Sequence, residues 1–531
     1  MVHIFQMKLE LILAIVVNWL QETYAVFAQA VWSDWITFFL TFFFTFGVLQ
    51  SFRTFLRARN TIRDQIDAPK PTLEQVERLA FEKGRKPPFF IILIPALNEA
   101  DVIINTINRL LQLDYPFERY AVLIITDERE KSDDGALTTH HIANKCADFV
   151  NSQCIMDWLH VVSVPEWYSG HFGSLERTYS RSTKGRALNY ALQHIRADAH
   201  LAQADMFGVL DADGRMHPHV LREVAFKYLR DDSKVLQGPV FQISNYPHVA
   251  LSGKAAGIEL SIYHLSTLAY RLRNGRHRAE FLAGTNYFIQ PELMFELGGW
   301  NEQALVEDAE LGLRLFLERQ IKPGWHSCHE IEQTPPDYKI YLKQRQRWAL
   351  GHFQLLPMVC HARIPLVRKI GLSGRVLSGI LKSPMDIALP IIGWLALFLG
   401  WTKGMPQWLG LVMTSLFLGS IFVWDFFGRG YRLLKKYAPV NQQPWDGHRI
   451  HQWKFILYMP WLILLQAQPR LVAFYMYLTG SSPKSWVKTT RTQEDPAITY
   501  CFFEKRDTYE QAFTYEQLKQ LQENEHVQVR R

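Results

Sequence analysis

The chain has 531 residues, a formal charge of +7 and 48% hydrophobic content, too long for one ordinary domain. Five cysteines, Cys146, Cys154, Cys328, Cys360 and Cys501, form no CxxC pair and no regular spacing, which argues against a disulfide framework and a structural zinc site and fits a reducing compartment. The basic residues gather beside apolar segments, at Arg53, Arg57 and Arg59 and at Arg429, Arg432, Lys435 and Lys436, the pattern of membrane flanks and not of a nucleic-acid partner.

In chain order, Leu9 to Val31 is apolar but interrupted by Asn18, Gln21 and Glu22, and reads either as a span or as an interfacial helix. Trp35 to Phe52 carries no charge and has the length that crosses the hydrocarbon, about 20 residues, so it predicts a transmembrane helix. The first 55 residues are therefore an N-terminal membrane region, and positions 56–365 a body that the positive-inside rule places in the cytosol.

Within that body, Phe89 to Ile94, Tyr120 to Thr126, Leu159 to Val164 and Met206 to Leu210 are continuous apolar runs of strand length. Runs buried on both faces predict a parallel sheet covered by helices, whose ligands sit at the carboxyl ends of the strands. Pro95 and Glu99 follow the first run, Asp127 the second, and Asp211 and Asp213 the fourth. A single acidic residue there is also an ordinary cap or turn former; the agreement of three strand ends is harder to dismiss.

Asp211 and Asp213 are two apart. In an extended segment they project to one side, where they can share Mg²⁺ or Mn²⁺ with substrate phosphate oxygens, although a bare DxD also arises by chance. No P-loop and no GxGxxG follows the first strand, which removes the best support for ATP hydrolysis or nicotinamide chemistry. Lys184 opens KGRALNYAL, either as a solvated lysine ahead of an amphipathic helix or as a cation against a diphosphate at a helix start. Glu307 and Asp308 precede AELGLRLFLER, so they occupy a first helical turn. They either complement the dipole or keep a general base ionised. In YLKQRQRWALGHFQ, Gln344, Arg347 and Trp348 stand at i, i+3 and i+4 on one helix face; a basic helix near a membrane is the plainer alternative.

Pro384 to Trp401 and Pro406 to Phe427 predict a helical hairpin. Phe455 to Leu478, with Gln466, Gln468, Pro469 and Arg470 at its middle, predicts a bent or re-entrant segment packed against protein. Positions 366–492 so form interfacial and membrane helices, and 493–531 a polar cytosolic tail.

Seven ordered elements, PALNE from Pro95, Asp127, KGRALN from Lys184, DAD from Asp211, GTNYF from Gly284, VED from Val306 and QRQRW from Gln344, resemble the membrane-bound members of glycosyltransferase family 2. That group contains the cellulose, hyaluronan and chitin synthases and bacterial exopolysaccharide synthases. The resemblance implies an α/β GT-A-type, Rossmann-like cytosolic glycosyltransferase domain inserted between N- and C-terminal transmembrane helices. It implies a hexosyltransferase with Asp308 as base beside Glu307, and Val306 replacing the commoner threonine. Pro95, Glu99, Asp127, Lys184, Asp211, Gln344 and Arg347 would bind the nucleotide-sugar, Asp211 and Asp213 the metal. Gly284, Thr285, Asn286 and Trp348 would bind the acceptor, with Trp348 stacking on its sugar. SWVKTTRT, Ser485 to Thr492, is loosely similar to a loop that closes over the nucleotide, though an interfacial tryptophan with cations explains it equally.

The expected activity is metal-dependent, inverting transfer from a nucleotide-sugar, a UDP-sugar above others, to a growing polysaccharide. It is processive, coupled to translocation, and set in the bacterial inner membrane with envelope export partners. Transfer of a single sugar to a lipid-linked acceptor, and a non-catalytic subunit of an envelope assembly, are the alternatives.

Overall fold

The computed structural model describes residues 52–131, 137–154, 156–170, 182–274, 280–377 and 467–481, with Leu49, Gly430, Leu434, Lys436, Tyr437 and Arg491 as isolated positions. The chain divides into two compact units. One comprises 1–52 and 388–424, and the other, to which nearly all described residues belong, comprises 53–387 and 425–531. The expected spans at 9–31, 384–401 and 406–427, all of 35–52 but Leu49 and Phe52, and the first half of 455–478 lie outside the described residues. Among the described residues no helix is long and apolar enough to cross a membrane.

The four apolar runs are strands: β1 (Phe90–Pro95), β2 (Tyr120–Asp127), β3 (Leu159–Val164) and β4 (Met206–Val209). They pair in parallel in the order β3-β2-β1-β4, with Phe90 opposite both Tyr120 and Met206. The sheet does not stay parallel. Beyond the short β5 (Arg215–Met216), β6 (Val235–Gln237) and β7 (Val240–Gln242) comes β8 (Tyr287–Ile289), which inserts antiparallel between β4 and β6, and β9 (Gly324–Trp325) closes the seven-stranded edge. The expectation of a parallel sheet thus becomes a mixed α/β sheet, because β8 enters between β4 and β6 running opposite to both. A second sheet, in the order β5-β10-β7, contains β10 (Glu330–Glu332).

Strand alternation divides the core into two layers. Phe90, Ile92 and Ile94 pack with Tyr120, Val122 and Ile124 beneath α1 (Leu73–Glu82), α2 (Ile103–Leu110), α3 (Thr139–Ser152) and a later helix, Val220–Asp231. Ile91 and Leu93 pack with Ala121, Leu123 and Ile125 against Leu188, Ala191, Leu192 and Ile195 of α4 (Lys184–Ala197). Each fully buried aliphatic side chain contributes about 1.5–3 kcal/mol, so β1 and β2, covered on both faces, are the rigid base from which the strand ends project. With Val220–Asp231 as α5, three further helices complete the framework: α6 (Leu251–Tyr263), α7 (Glu307–Arg319) and α8 (Tyr338–Phe353).

Candidate active site

The strand ends open into a cleft of about 840 Å³ lined by Pro95, Glu99, Asp127, Lys184 and Asp211, with Gly284, Thr285, Glu307, Asp308, Gln344, Arg347, Trp348 and Arg491. The sheet, α4, α7 and α8 thus bring together side chains separated widely in sequence.

Lys184 is the first residue of α4, which Thr183 caps by accepting the Arg186 N–H at 3.2 Å. Its ammonium pairs with Asp211 and donates to the Gly284 carbonyl at 2.7 Å. Burial works to lower this lysine, but Asp211, Glu307 and Asp308 raise it above the ordinary range, so it stays charged. Burial likewise opposes ionisation of Asp211, yet Lys184, Arg491 and Arg347 hold its carboxyl below the usual value.

Asp211 and Asp213 do not share one face of an extended segment. The Gly214 N–H donates to the Asp211 carbonyl at 2.8 Å and closes a turn, so the two carboxylates meet different surroundings. Asp213 is fully buried, accepts the Gln333 N–H at 3.0 Å and pairs with Arg491 at 2.8 Å. Burial, with Glu99 and Asp211 adding to it, pushes its carboxyl up to about 6 although Arg491 opposes the shift.

Behind this turn Glu330 and Glu332 are also buried, and burial together with their like-charged neighbours raises both well above the usual carboxylate range. Arg491 answers this excess, with Nε 3.4 Å from Glu99 Oε2 and with Asp213, Glu99, Asp211 and Glu332 all acting on it. A guanidinium set among hard oxygen donors is a stand-in for a cation. The donor set of Asp211 and Asp213 therefore fits Mg²⁺ or Mn²⁺, although among the described residues no three His, Cys, Asp or Glu side chains form a ready metal cage.

Asp127 is held by the fully buried Arg186, whose Nη1 stands 2.5 Å from Oδ2, and by the Arg129 N–H at 3.0 Å. Thr285 accepts the Asp211 N–H at 3.0 Å and donates to Glu330. Asn286 does not face the cleft. With φ of +52° and no exposure, it donates to the Pro239 and Cys328 carbonyls at 2.9 and 3.1 Å, supporting the floor from below.

Glu307 and Asp308 begin α7. Burial, then the charge of Asp308, raises Glu307, and burial raises Asp308 against the Ala309 N–H and Lys184. Gly284, at φ +78°, lies directly beside the Asp308 carboxylate. Gln344, Arg347 and Trp348 share α8, which Asp337 caps through the Ile340 N–H at 2.9 Å. Arg347 lines the cleft, where Glu307, Asp308 and Asp211 all act on it. The Gln344 Oε1 is buried with no hydrogen-bond partner among the described residues. One face of the Trp348 ring is covered by the Arg345 guanidinium at 4.5 Å, so that face is not open to a sugar.

Arg186 and Arg491 are site residues that motif spacing does not single out, although each lies inside a motif segment, KGRALN and SWVKTTRT. Glu330 and Glu332 carried no local signal.

A family profile described as Glycosyl transferase family group 2 matches residues 207–478. That is just over half of the chain, which therefore belongs to this glycosyltransferase family. The Beta-monoglucosyldiacylglycerol synthase of Trichormus variabilis is 26% identical over 270 residues, 50% of this chain and 49% of its own length. The Probable glucomannan 4-beta-mannosyltransferase 15 of Arabidopsis thaliana is 23% identical over 278 residues, 51% and 45% of the two chains. Among solved structures, the mannosyltransferase PcManGT from Pyrobaculum calidifontis in complex with GDP-Man and Mn²⁺ superposes with a TM-score of 0.43 at 14% identity, covering 83% of this chain and 99% of its own. The chain spans about half the length of the curated relatives it matches.

Proposed function

We propose that this chain is an inverting hexosyltransferase of the GT-A type, set between membrane helices with its catalytic body in the cytosol of a bacterial cell. It moves a sugar from a nucleotide-sugar, foremost a UDP-sugar, to an acceptor hydroxyl. The carrying observation is Gly284, whose carbonyl accepts from Lys184 while its α-carbon lies against Asp308. One residue thereby joins the anion-binding side of the cleft to the base.

Asp308 takes the proton of the acceptor hydroxyl, whose oxygen bonds to the anomeric carbon from the face opposite the diphosphate. The bond from that carbon to the diphosphate breaks, and its electron pair leaves with the nucleoside diphosphate. Lys184 and Arg347 stabilise the charge that develops there, so no protein acid is needed. Asp211 and Asp213 would hold Mg²⁺ or Mn²⁺, which supplies further neutralisation of the diphosphate. Displacement in one step inverts the anomeric centre.

The growing chain of a polysaccharide, elongated processively and passed across the inner membrane towards export partners, is the first acceptor reading. A lipid acceptor is the second, and the relatives named Beta-monoglucosyldiacylglycerol synthase favour it. The deciding experiment incubates the full chain in lipid with radiolabelled UDP- and GDP-sugars and Mn²⁺, then separates polymer from glycolipid. Absence of both nucleotide release and labelled product across the panel would leave the non-catalytic subunit as the better reading.

A further inference from the structure

Arg345 lies on α8 between Gln344 and Arg347, yet the transfer step does not use it. Its guanidinium carbon stands 4.5 Å from the Trp348 ring centre and 5.3 Å from that of Tyr341. Its Nε and Nη2 are buried with no hydrogen-bond partner among the described residues. Leaving donors of a buried cation unmet is costly in folding free energy, so the arrangement favours an oxyanion that accepts from both nitrogens at once.

The neighbours of Arg345 differ from those of Arg347. Where Arg347 meets Glu307, Asp308 and Asp211, Arg345 meets Tyr341 and His264. Burial, with Arg345 adding to it, lowers His264 to about 3, and burial pushes Tyr341 up to about 12 although its hydroxyl hydrogen-bonds with Arg345, so both are neutral and neither offsets the charge of the guanidinium. Arg271 and Arg375 line the same cleft but are engaged by Glu280. Arg470 also acts on Tyr341, as does Glu259 with the opposite sign. The lining of the cleft also includes Leu260, Leu268 and Met476. Cations among aliphatic groups suit an amphiphile that bears an anion better than they suit a neutral sugar, whose hydroxyls need many polar partners.

We infer that Arg345 is the centre of an acceptor-side oxyanion site, and that the acceptor is a lipid carrying a phosphate near its reacting hydroxyl. The inference rests on the transferase reading and selects its lipid acceptor. The phosphate sets which lipid is glycosylated, while Asp308 and the donor-side cations perform the transfer.

Two soluble probes separate the parts. Dihexanoylphosphatidylglycerol and dihexanoylglycerol both present a primary hydroxyl, and only the first has a phosphate. With the full chain in detergent, the phosphate-bearing probe raises the melting temperature and the neutral one does not. Arg345→Gln loses that shift and Arg345→Lys keeps part of it, while their ligand-free melts report whether each variant is folded. In transfer assays the preference for the phosphate-bearing acceptor, about tenfold or more in kcat/KM, falls towards one in Arg345→Gln through KM and not kcat.

A shift retained by folded Arg345→Gln overturns the site. An equal shift from inorganic phosphate, or an Arg345-dependent shift from a glucuronate oligosaccharide without one from the lipid, overturns the lipid assignment. Sugar transfer that ignores the phosphate sinks this inference and leaves the transferase reading standing. Arg345-dependent lipid binding without any transfer does the reverse.

Discussion

Gly284 makes room for Asp308: a Cβ at position 284 would stand 3.1 Å from Asp308 Oδ2, on a backbone with φ of +78° that side chains rarely adopt. The same glycine offers its carbonyl to Lys184 at 2.7 Å. The Asp308 carboxylate and the Lys184 ammonium are therefore both placed by one short stretch of main chain, just ahead of β8.

Asp308→Asn keeps the shape of this corner and removes the proton acceptor. Transfer falls by roughly 10²–10⁴-fold, while UDP binding measured by calorimetry stays close to wild type. Gly284→Ala adds about 1–2 kcal/mol of backbone strain and crowds the carboxylate, lowering kcat more than nucleotide affinity. Full turnover in Asp308→Asn would remove Asp308 from the mechanism.

Arg491 occupies the side of Asp213 and Glu99 where the proposed metal would compete with it. Arg491→Ala takes a unit charge from beside Asp213 and Glu99, so Mn²⁺ binding to the nucleotide-free protein tightens by roughly tenfold or more. Electron paramagnetic resonance of free Mn²⁺ measures this directly. Adding Asp213→Ala to Arg491→Ala abolishes the gain; unchanged affinity in the single variant would show that these oxygens do not hold the ion.

Gly351 of α8 touches the residue that precedes the acidic pair. A Cβ there would lie 2.7 Å from Val306 Cγ2, so Gly351→Ala overpacks the joint by about 1–3 kcal/mol and displaces the start of α7 from α8. Activity and melting temperature both fall. Val306→Ala in the same chain restores them, because it removes the methyl groups in the way and leaves the better helix former at 351; failure of that rescue would mean the contact is not the cause.

Acid stability has its own marker away from the cleft. Burial works to raise the Glu223 carboxyl, but Lys227 and Lys70 hold it at about 2, with Ser327 donating through its N–H at 2.8 Å and its hydroxyl at 2.7 Å. Because the folded value is depressed, this stabilisation is present above the unfolded carboxylate range near 4.3 and is lost as pH falls through about 2. Glu223→Gln lowers stability by roughly 3 kcal/mol at neutral pH. Melts of the variant and the wild type then converge as pH drops below about 4, and a constant gap would disprove the linkage.

Phe90–Pro95, Tyr120–Asp127, Leu159–Val164 and Met206–Val209 begin within a residue of the apolar runs. Three of them are buried on both faces, where an uninterrupted apolar run is what the strand requires, while the edge strand Leu159–Val164, with His160 and Ser163 in it, is only partly buried. Tyr287–Ile289 and Gly324–Trp325 are too short to show a period, and their pairing depends on partners remote in sequence. At the site, Lys184, Asp211, Asp308 and Arg347 stood out because motif spacing is local. Glu330 and Glu332 reach the same place only through tertiary folding and no local pattern marks them, while for Arg491 the segment SWVKTTRT offered only a loose similarity. For Trp348, spacing gave its helix face but not the guanidinium lying over its ring.

The late arrival of β8 bears on how the chain is made. Until Tyr287–Ile289 leaves the ribosome, β4 carries an open row of amide and carbonyl groups beside a finished hydrophobic layer, the kind of surface that recruits stray strands. A nascent chain stalled between these segments is a substrate for holdase chaperones or for misassembly, and three residues act as the stitch that ends the hazard.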